Sequence, residues 1–240
     1  MDDLQKRFTE WLGPKGIELS PRQLEQFERY YQELVEWNQK MNLTGITERE
    51  QVYMKHFYDS LSLAFFVDLS KVQSLADIGS GAGFPGIPLK IAFPELKLTI
   101  VDSLAKRISF LRHVADELEL SHVELIHGRA EDIARLPEHR DRYDLVTARA
   151  VARMALLNEF CLPFVRPQGL FVAMKGSDPA EELTEAVRSL KELKGEVAAV
   201  ESMTLPVEES ARHLVVIRKT AGTPSKYPRK AGVPAKSPLI

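Results

Sequence analysis

The stretch Ala76-Asp77-Ile78-Gly79-Ser80-Gly81-Ala82-Gly83-Phe84-Pro85-Gly86 decides the fold. The apolar run from Val72 to Ile78 reads as a strand with an acidic residue, Asp77, at its end. Four glycines follow between positions 79 and 86, and Ile87 to Ala92 reads as a helix. Glycine lets the backbone turn tightly and approach a ligand, because no Cβ stands in the way. A helix start offers free N–H groups and a positive dipole end to an anion. Strand, glycine turn and helix start together make a cofactor cradle. Further on, Leu98-Thr99-Ile100-Val101 ends in Asp102, where a ribose-binding acid would sit.

Gly81-Ala82-Gly83-Phe84-Pro85-Gly86 satisfies the dinucleotide pattern G-x-G-x-x-G, which by itself discriminates weakly. Three features favour S-adenosyl-L-methionine (AdoMet) over NAD. Asp77 stands before the first glycine, so the full string D-x-G-x-G-x-G resembles that of AdoMet-dependent methyltransferases. A dinucleotide needs room for its pyrophosphate where Phe84-Pro85 is expected to intrude. The glycine turn also begins near residue 79, so a separate segment precedes the cofactor unit.

Outward from the loop, residues 1–70 read as helices. Ser20-Pro21-Arg22-Gln23 supplies an N-cap, a proline at the first helical position and a capping-box glutamine. Thr47-Glu48-Arg49-Glu50 reads as a second capping box, ahead of the amphipathic face of Val52, Tyr53, His56, Phe57 and Leu61. From residue 72 the rhythm alternates. Strands are predicted at 73–78, 97–102, 123–127, 143–148 and 169–174, with helices at 84–92, 104–119, 152–164 and 178–193. That alternation implies a parallel sheet covered on both faces. Strands at 196–205 and 212–219 have no long helix between them and are expected to form an antiparallel pair at one edge. Residues 220–240 carry four prolines, which argues against regular structure there. The expected organisation is a helical cap (1–70), a Rossmann-like AdoMet-binding unit (71–219) and a basic C-terminal arm (220–240).

Composition narrows the class. A hydrophobic content of 44% with 28% charged residues fits a globular protein. No apolar run approaches the ~20 residues needed to span a membrane. The acidic, amphipathic start Met1-Asp2-Asp3-Leu4-Gln5-Lys6 is unlike a secretory signal. A lone cysteine, Cys161, excludes an internal disulfide and points to a reducing compartment. The net charge of −2 hides an asymmetry: residues 210–240 hold seven Lys/Arg and no Asp/Glu, on an otherwise acidic body. A basic end on an acidic body points to a local polyanion contact. Within it, Lys226-Tyr227-Pro228-Arg229-Lys230 interleaves charge with an aromatic, so Lys226, Arg229 and Lys230 are candidate RNA contacts, the alternative being a solvated tail.

The strand ends carry the remaining candidates. Asp102-Ser103-Leu104 either takes the ribose hydroxyls or caps the next helix. Gly128-Arg129-Ala130-Glu131-Asp132 either borders an adenine through the backbone of Ala130 and Glu131 or is a capping cluster. After the fourth strand, Thr147-Ala148-Arg149-Ala150-Val151-Ala152 lacks the Asn/Asp-Pro-Pro-aromatic motif of many amino-group methyltransferases. Cytosine-C5 chemistry needs a cysteine nucleophile, and Cys161 sits in an apolar helix. An acceptor that is already nucleophilic, such as guanine N7, fits what remains, because its in-plane lone pair needs no general base. Arg149 and Lys175 are the candidate catalytic side chains, orienting cofactor carboxylate, phosphate or the guanine edge. Ion pairing with a neighbouring acid is the alternative for each. His56-Phe57-Tyr58-Asp59-Ser60 reads as capping or helix packing, or else as a small acid–base cluster. The six histidines show no metal-ligand spacing.

The ordered set Asn42-Leu43-Thr44, His56 to Ser60, Asp77 to Gly86, Gly128 to Glu131, Ala148-Arg149-Ala150 and Tyr227-Pro228-Arg229 resembles one family, the bacterial 16S ribosomal RNA guanine-N7 methyltransferases RsmG, or GidB. The resemblance runs over nearly the whole chain. It implies a class I AdoMet-dependent methyltransferase fold, mostly parallel with an antiparallel edge, behind an N-terminal helical extension. It implies AdoMet as donor and the guanine at position 527 of 16S rRNA (bacterial numbering) as acceptor, on naked rRNA or the small ribosomal subunit. It also implies a cytoplasmic enzyme, with no membrane and no stable protein partner. By that likeness Gly79, Phe84, Ala130, Glu131 and Arg149 line the cofactor site, with Asp102, Ser103 and Leu104 alongside; Gly81 and Gly83 of the glycine loop are candidate cofactor contacts as well. An NAD-linked oxidoreductase and a non-catalytic RNA-binding protein are the rival readings.

Overall fold

A computed structural model describes residues 1–240. Seven strands form one sheet: β1 (Ser74–Ile78), β2 (Lys97–Asp102), β3 (Val123–His127), β4 (Tyr143–Arg149), β5 (Val165–Lys175), β6 (Gly195–Thr204) and β7 (Ala211–Lys219). Their spatial order is β3-β2-β1-β4-β5-β7-β6. β1 pairs in parallel with both β2 and β4, whereas β7 runs antiparallel to β5 and to β6. The chain winds outward from β1 to β3 and then jumps back across β1 to β4. The crevice between the carboxyl ends of β1 and β4 is thus the switch point where open sheets bind ligands.

Side-chain alternation sends the strands into two cores. Leu75, Leu98, Ile100, Leu145, Val172, Met174 and Val216 join one buried cluster; Ala76, Ile78, Val101, Val146, Ala148, Phe171 and Ile217 join the other. The first face is covered by the N-terminal helices α1 (Asp3–Leu12) and α2 (Pro21–Met41), together with α5 (Gly86–Ala92) and α6 (Ala105–Glu117). Between them, α3 (Arg49–Val52) widens into a π turn over Tyr53–Tyr58 and returns to α form as α4 (Asp59–Leu61). Helices α7 (Ala130–Ile133), α8 (Met154–Cys161), α9 (Ala180–Glu185) and α10 (Val187–Leu193) lie on the second face with the C-terminal segment, which contains the single turn α11 (Val233–Lys236).

Local chemistry accounts for most boundaries, and several differ from expectation. The Ser20 box forms as read, its hydroxyl and the Gln23 amide exchanging backbone hydrogen bonds, a cap contributing about 1 kcal/mol. The second cap falls one residue later than read. Glu48, not Thr47, takes the N–H groups of Glu50 and Gln51, its two carboxylate oxygens reaching both donors. The helix expected to 164 ends at Cys161 in a tight turn over Leu162–Phe164, because Pro163 has no N–H to continue it. The helix expected over 178–193 breaks at Ala186, which is fully buried, so that α9 and α10 each pack on α8. The fifth strand is longer than expected, starting at Val165, with a register shift opposite Tyr143 and Leu145. The C-terminal segment, expected to lack regular structure, contains α11.

Candidate active site at the carboxyl edge of the sheet

The glycine loop is held in shape by two carboxylates. Asp77 on β1 is fully buried; its Oδ2 accepts from Ser80 Oγ at 2.6 Å and from Gly86 N–H at 2.7 Å. Burial lifts its carboxyl to about 6, and those two bonds pull back toward the ionised form. The other oxygen, Oδ1, has no partner although it is buried. Asp102, at the end of β2, accepts from Gly81 N–H at 3.0 Å on Oδ2 and from Leu104 N–H at 2.9 Å on Oδ1. It therefore braces the loop and closes its own turn. It does not cap α6, whose first residue, Ala105, follows Leu104.

Two of the glycines show different constraints. Gly83 has φ +103°, and a Cβ there would lie 2.5 Å from the Tyr30 hydroxyl and 2.8 Å from Ile87. It is glycine because α2 and α5 close on it. Gly81 has φ +64° and nothing within 4 Å of a would-be Cβ. There the left-handed backbone borders open space rather than packed side chains.

Two cavities open on this edge. One, of about 220 Å³, is lined by Gly79, Ser103, Ala130, Glu131 and Val151, with Gly232 and Ala235 from the C-terminal segment. The other, of about 300 Å³, is lined by His56, Asp59, Arg149, Lys175, Met174 and Arg212 among others. The chain divides them at Ala150, whose φ of +55° is uncommon for a non-glycine residue. Arg149 before it serves the second cavity and Val151 after it the first.

Charged side chains ring the second cavity. Arg149 Nη1 donates to Asp59 Oδ2 at 2.8 Å and to the Lys55 carbonyl at 3.1 Å, and its guanidinium lies 5.0 Å from the centre of the Phe84 ring. Arg212 Nε donates to the other oxygen of Asp59 at 3.1 Å. One carboxylate thus holds two guanidiniums, leaving an excess of positive charge. His56 stacks on Phe84 with centroids 4.5 Å apart and meets Thr44 Oγ1 at 2.8 Å through Nε2. Burial, then the Arg149 cation, push its imidazole down to about 3, so it is neutral at ordinary pH. Lys175 Nζ donates to Glu182 at 2.8 Å and to the Ala152 carbonyl at 3.0 Å.

Among the residues singled out in the sequence, Gly79, Ser103, Ala130 and Glu131 line the first cavity; Asp102, 2% exposed, does not line it, although its chain neighbours Val101 and Ser103 do. Arg149 and Lys175 line the second. Gly81, Gly83 and Phe84 line neither. The Phe84 ring is buried against Tyr30, His56 and Phe57, so it does not intrude into the loop as expected, and the steric objection to a pyrophosphate falls away. Leu104 is exposed beside the cavity. Lys226, Arg229 and Lys230 belong to the segment packed on the second face, away from the cavity lined by Arg149 and Lys175. Lys226 pairs with Glu192 at 2.7 Å, and Arg229 with the buried Glu159 at 2.6 Å.

Arg212 is a site residue that the sequence pattern does not single out, whereas His56 and Asp59 read mainly as capping or packing, with a small acid–base cluster as the alternative. Asp59 follows a π turn that no pattern announces, and Arg212 opens a strand of the edge pair. Only the fold brings them to Arg149.

The cradle fits AdoMet. Gly81 leaves open space, the buried Asp77 Oδ1 at the base of the loop has no partner, and an acid, Asp102, stands at the end of the adjacent strand. No helix is long and apolar enough to cross a membrane.

Comparison with known proteins agrees. The family model described as "GidB: rRNA small subunit methyltransferase G" matches residues 23–215. "Ribosomal RNA small subunit methyltransferase G" of Halalkalibacterium halodurans is 58% identical over 232 residues, covering 97% of this chain and 98% of that protein. The protein of that name from Bacillus subtilis is 53% identical over 234 residues, covering 98% of each. Among solved structures, a SAM-dependent methyltransferase from Aquifex aeolicus superposes with a TM-score of 0.54 at 17% identity, over 75% of this chain and 97% of that one. M. jannaschii TYW2 in complex with AdoMet superposes with a TM-score of 0.52 at 16% identity, over 70% and 76%. At such identities the likeness shows the fold alone.

Proposed function

Since the chain belongs to the GidB family of rRNA small subunit methyltransferases G, we propose that it transfers the methyl group of AdoMet to N7 of a guanine in 16S ribosomal RNA. The observation that carries this reading is the pair of cavities at the sheet's switch point, separated by Arg149-Ala150-Val151. The NAD and non-catalytic readings give way to family membership.

When bound, AdoMet supplies an activated methyl on a sulfonium, and its transfer to N7 leaves no proton to be moved. The protein's part is therefore positioning. In our reading Asp102 holds the ribose, the backbone of Ala130 and Glu131 borders the adenine with Gly79 and Ser103 beside it, and the 79–86 loop takes the methionine end. The acceptor base enters the second cavity, whose size falls at the low end of the range for small-ligand sites. Arg149, held by Asp59 and backed by Phe84, presents donors to the guanine O6/N7 edge or to a phosphate. Lys175, already paired with Glu182, shapes the rim of the same pocket. The neutral His56 adds an aromatic wall without a further cation. Residues 1–70 act as the cap that delivers His56 and Asp59 to the catalytic unit, 71–219.

The test is direct. Purified protein is incubated with methyl-labelled AdoMet and small subunits from cells lacking this enzyme, and in parallel with stripped rRNA. Label recovered as 7-methylguanine at one site is the expected result, and the two substrates together decide whether assembly is required. AdoMet binding without label on either RNA would overturn the acceptor.

A further inference from the structure

The basic C-terminal segment is folded onto the body. Asp141 accepts from Thr223 N–H at 3.0 Å, and Arg140 donates to the carbonyls of Thr223 at 2.8 Å and Tyr227 at 2.7 Å. Arg135 donates to the Pro228 carbonyl. Tyr227 and Leu239 are both buried in the second core. Arg229 is fixed most firmly, its backbone N–H, Nε and Nη2 all donating to Glu159, which is 1% exposed. Two of the segment's four cations, Lys226 and Arg229, are paired with Glu192 and Glu159, and what the segment adds to the site is a wall.

That wall stands in the first cavity. Gly232 and Ala235 line it together with Gly79, Ser103 and Ala130. Gly232 N–H also donates to Glu131 Oε1 at 3.0 Å, and Glu131 is itself buried. Glu131 belongs to α7, and both it and Ala130 line the cavity. The last residues of the chain therefore both close one side of the space and tether the turn opposite. Leu239, buried beyond α11, pins the far end, so the segment is anchored on both sides of the cavity.

We propose that residues 229–240 are a strap forming part of the AdoMet site: Gly232 and Ala235 wall the nucleoside cavity, and the Glu131–Gly232 bond keeps the adenine-side turn in place. This rests on the cofactor reading of that cavity. A ligand that binds only when the strap is seated also favours the seated state, so AdoMet and strap stabilise each other. A free arm reaching for RNA would instead leave AdoMet affinity indifferent to its removal.

Two variants test it, with AdoMet affinity measured by calorimetry and thermal unfolding recorded without ligand. One ends the chain after Lys230, keeping Arg229 on Glu159. The other is Ala235→Trp, which places bulk at an exposed position on the cavity wall and leaves every anchor intact. Both are expected to raise the Kd for AdoMet about tenfold or more. Ala235→Trp should do so with an unchanged melting temperature, and it decides the matter should the shortened chain unfold. Wild-type affinity in Ala235→Trp, or a folded shortened chain that binds AdoMet normally and loses only subunit binding, overturns the strap. Wild-type protein that does not bind AdoMet overturns the cofactor reading itself, and the strap with it.

Discussion

Asp59 accepts a hydrogen bond from Arg149 at 2.8 Å, joining the helical cap to the end of β4 across 90 positions of sequence. Its second oxygen takes Arg212, so three elements meet on one buried carboxylate. Breaking a buried pair by removing one partner strands the other charge.

Asp59→Asn keeps the shape and removes the charge. Stability should fall by about 3 kcal/mol. Methyl transfer to subunits should fall by more than tenfold in kcat/KM, about 1.4 kcal/mol of transition-state stabilisation. AdoMet affinity should change little, because Asp59 lines the second cavity and not the first. Urea unfolding, calorimetry and a filter-binding methylation assay together read the three quantities. A variant with wild-type turnover would remove Asp59 from the site.

Gly81→Ala and Gly83→Ala should fail in different ways. At Gly83 a Cβ meets Tyr30, Ile87 and Leu111 at 2.9 Å or less, so overpacking and backbone strain together should cost about 3 kcal/mol or more. At Gly81 it meets nothing, so the stability cost is about 1–2 kcal/mol of left-handed strain, while AdoMet affinity drops sharply. Melting temperature against AdoMet Kd separates the two. Equal loss of affinity at equal stability would contradict the assignment of the open space to the ligand.

Asp102→Ala removes the brace on Gly81 as well as the proposed ribose acceptor. AdoMet Kd should rise about a hundredfold or more, consistent with loss of charge-assisted hydrogen bonds at about 1.5–3 kcal/mol each. Asp102→Asn, which can keep one accepting oxygen, should fall between. Unaltered affinity in the alanine variant sinks the ribose assignment.

His56 gives the protein a pH dependence of stability. Its folded value, about 3, lies below the ordinary 6.5, so between those values the unfolded chain binds a proton that the folded chain refuses. Its contribution is fully present above pH 6.5 and is lost as pH falls toward 3. The groups that set it are the surrounding apolar packing, the Arg149 and Lys55 cations and the Lys55 carbonyl. His56→Gln should therefore lose stability less steeply than wild type between pH 6.5 and 5. Denaturant titrations at both pH values check this, and parallel slopes would show that the imidazole charges freely in the fold.

Much of the sheet was legible. β2 and β3 match the expected ranges, and β6 and β7 pair antiparallel at the edge as read. Alternating strand patterns and glycine turns are local signals, carried by residues a few positions apart. The misplaced boundaries were set by neighbours instead. Thr47 had the right chemistry for a cap, yet Glu48 reached both donors. The 178–193 helix has continuous helical spacing, but Ala186 is buried against α8 and the helix breaks there. For Arg149 and Lys175 the spacing located both at strand ends, and nothing in it named Asp59, Arg212 or Glu182 as their partners.

The sequence by itself determined the strand–glycine–helix unit, the alternation of strands and helices and the family, because hydrophobic period and glycine placement act over short distances and need no knowledge of what packs opposite. Tertiary structure alone decided the electrostatics and closure of the site. Asp59 meets Arg149, Glu159 holds Arg229, and Glu131 takes the N–H of Gly232 from 101 residues away. A charge in the linear chain has no preferred partner. Burial removes water as a competitor and leaves each group only the neighbours the fold supplies. That is how a basic segment, which in sequence looked like an arm for RNA, came to lie folded along the wall of the first cavity.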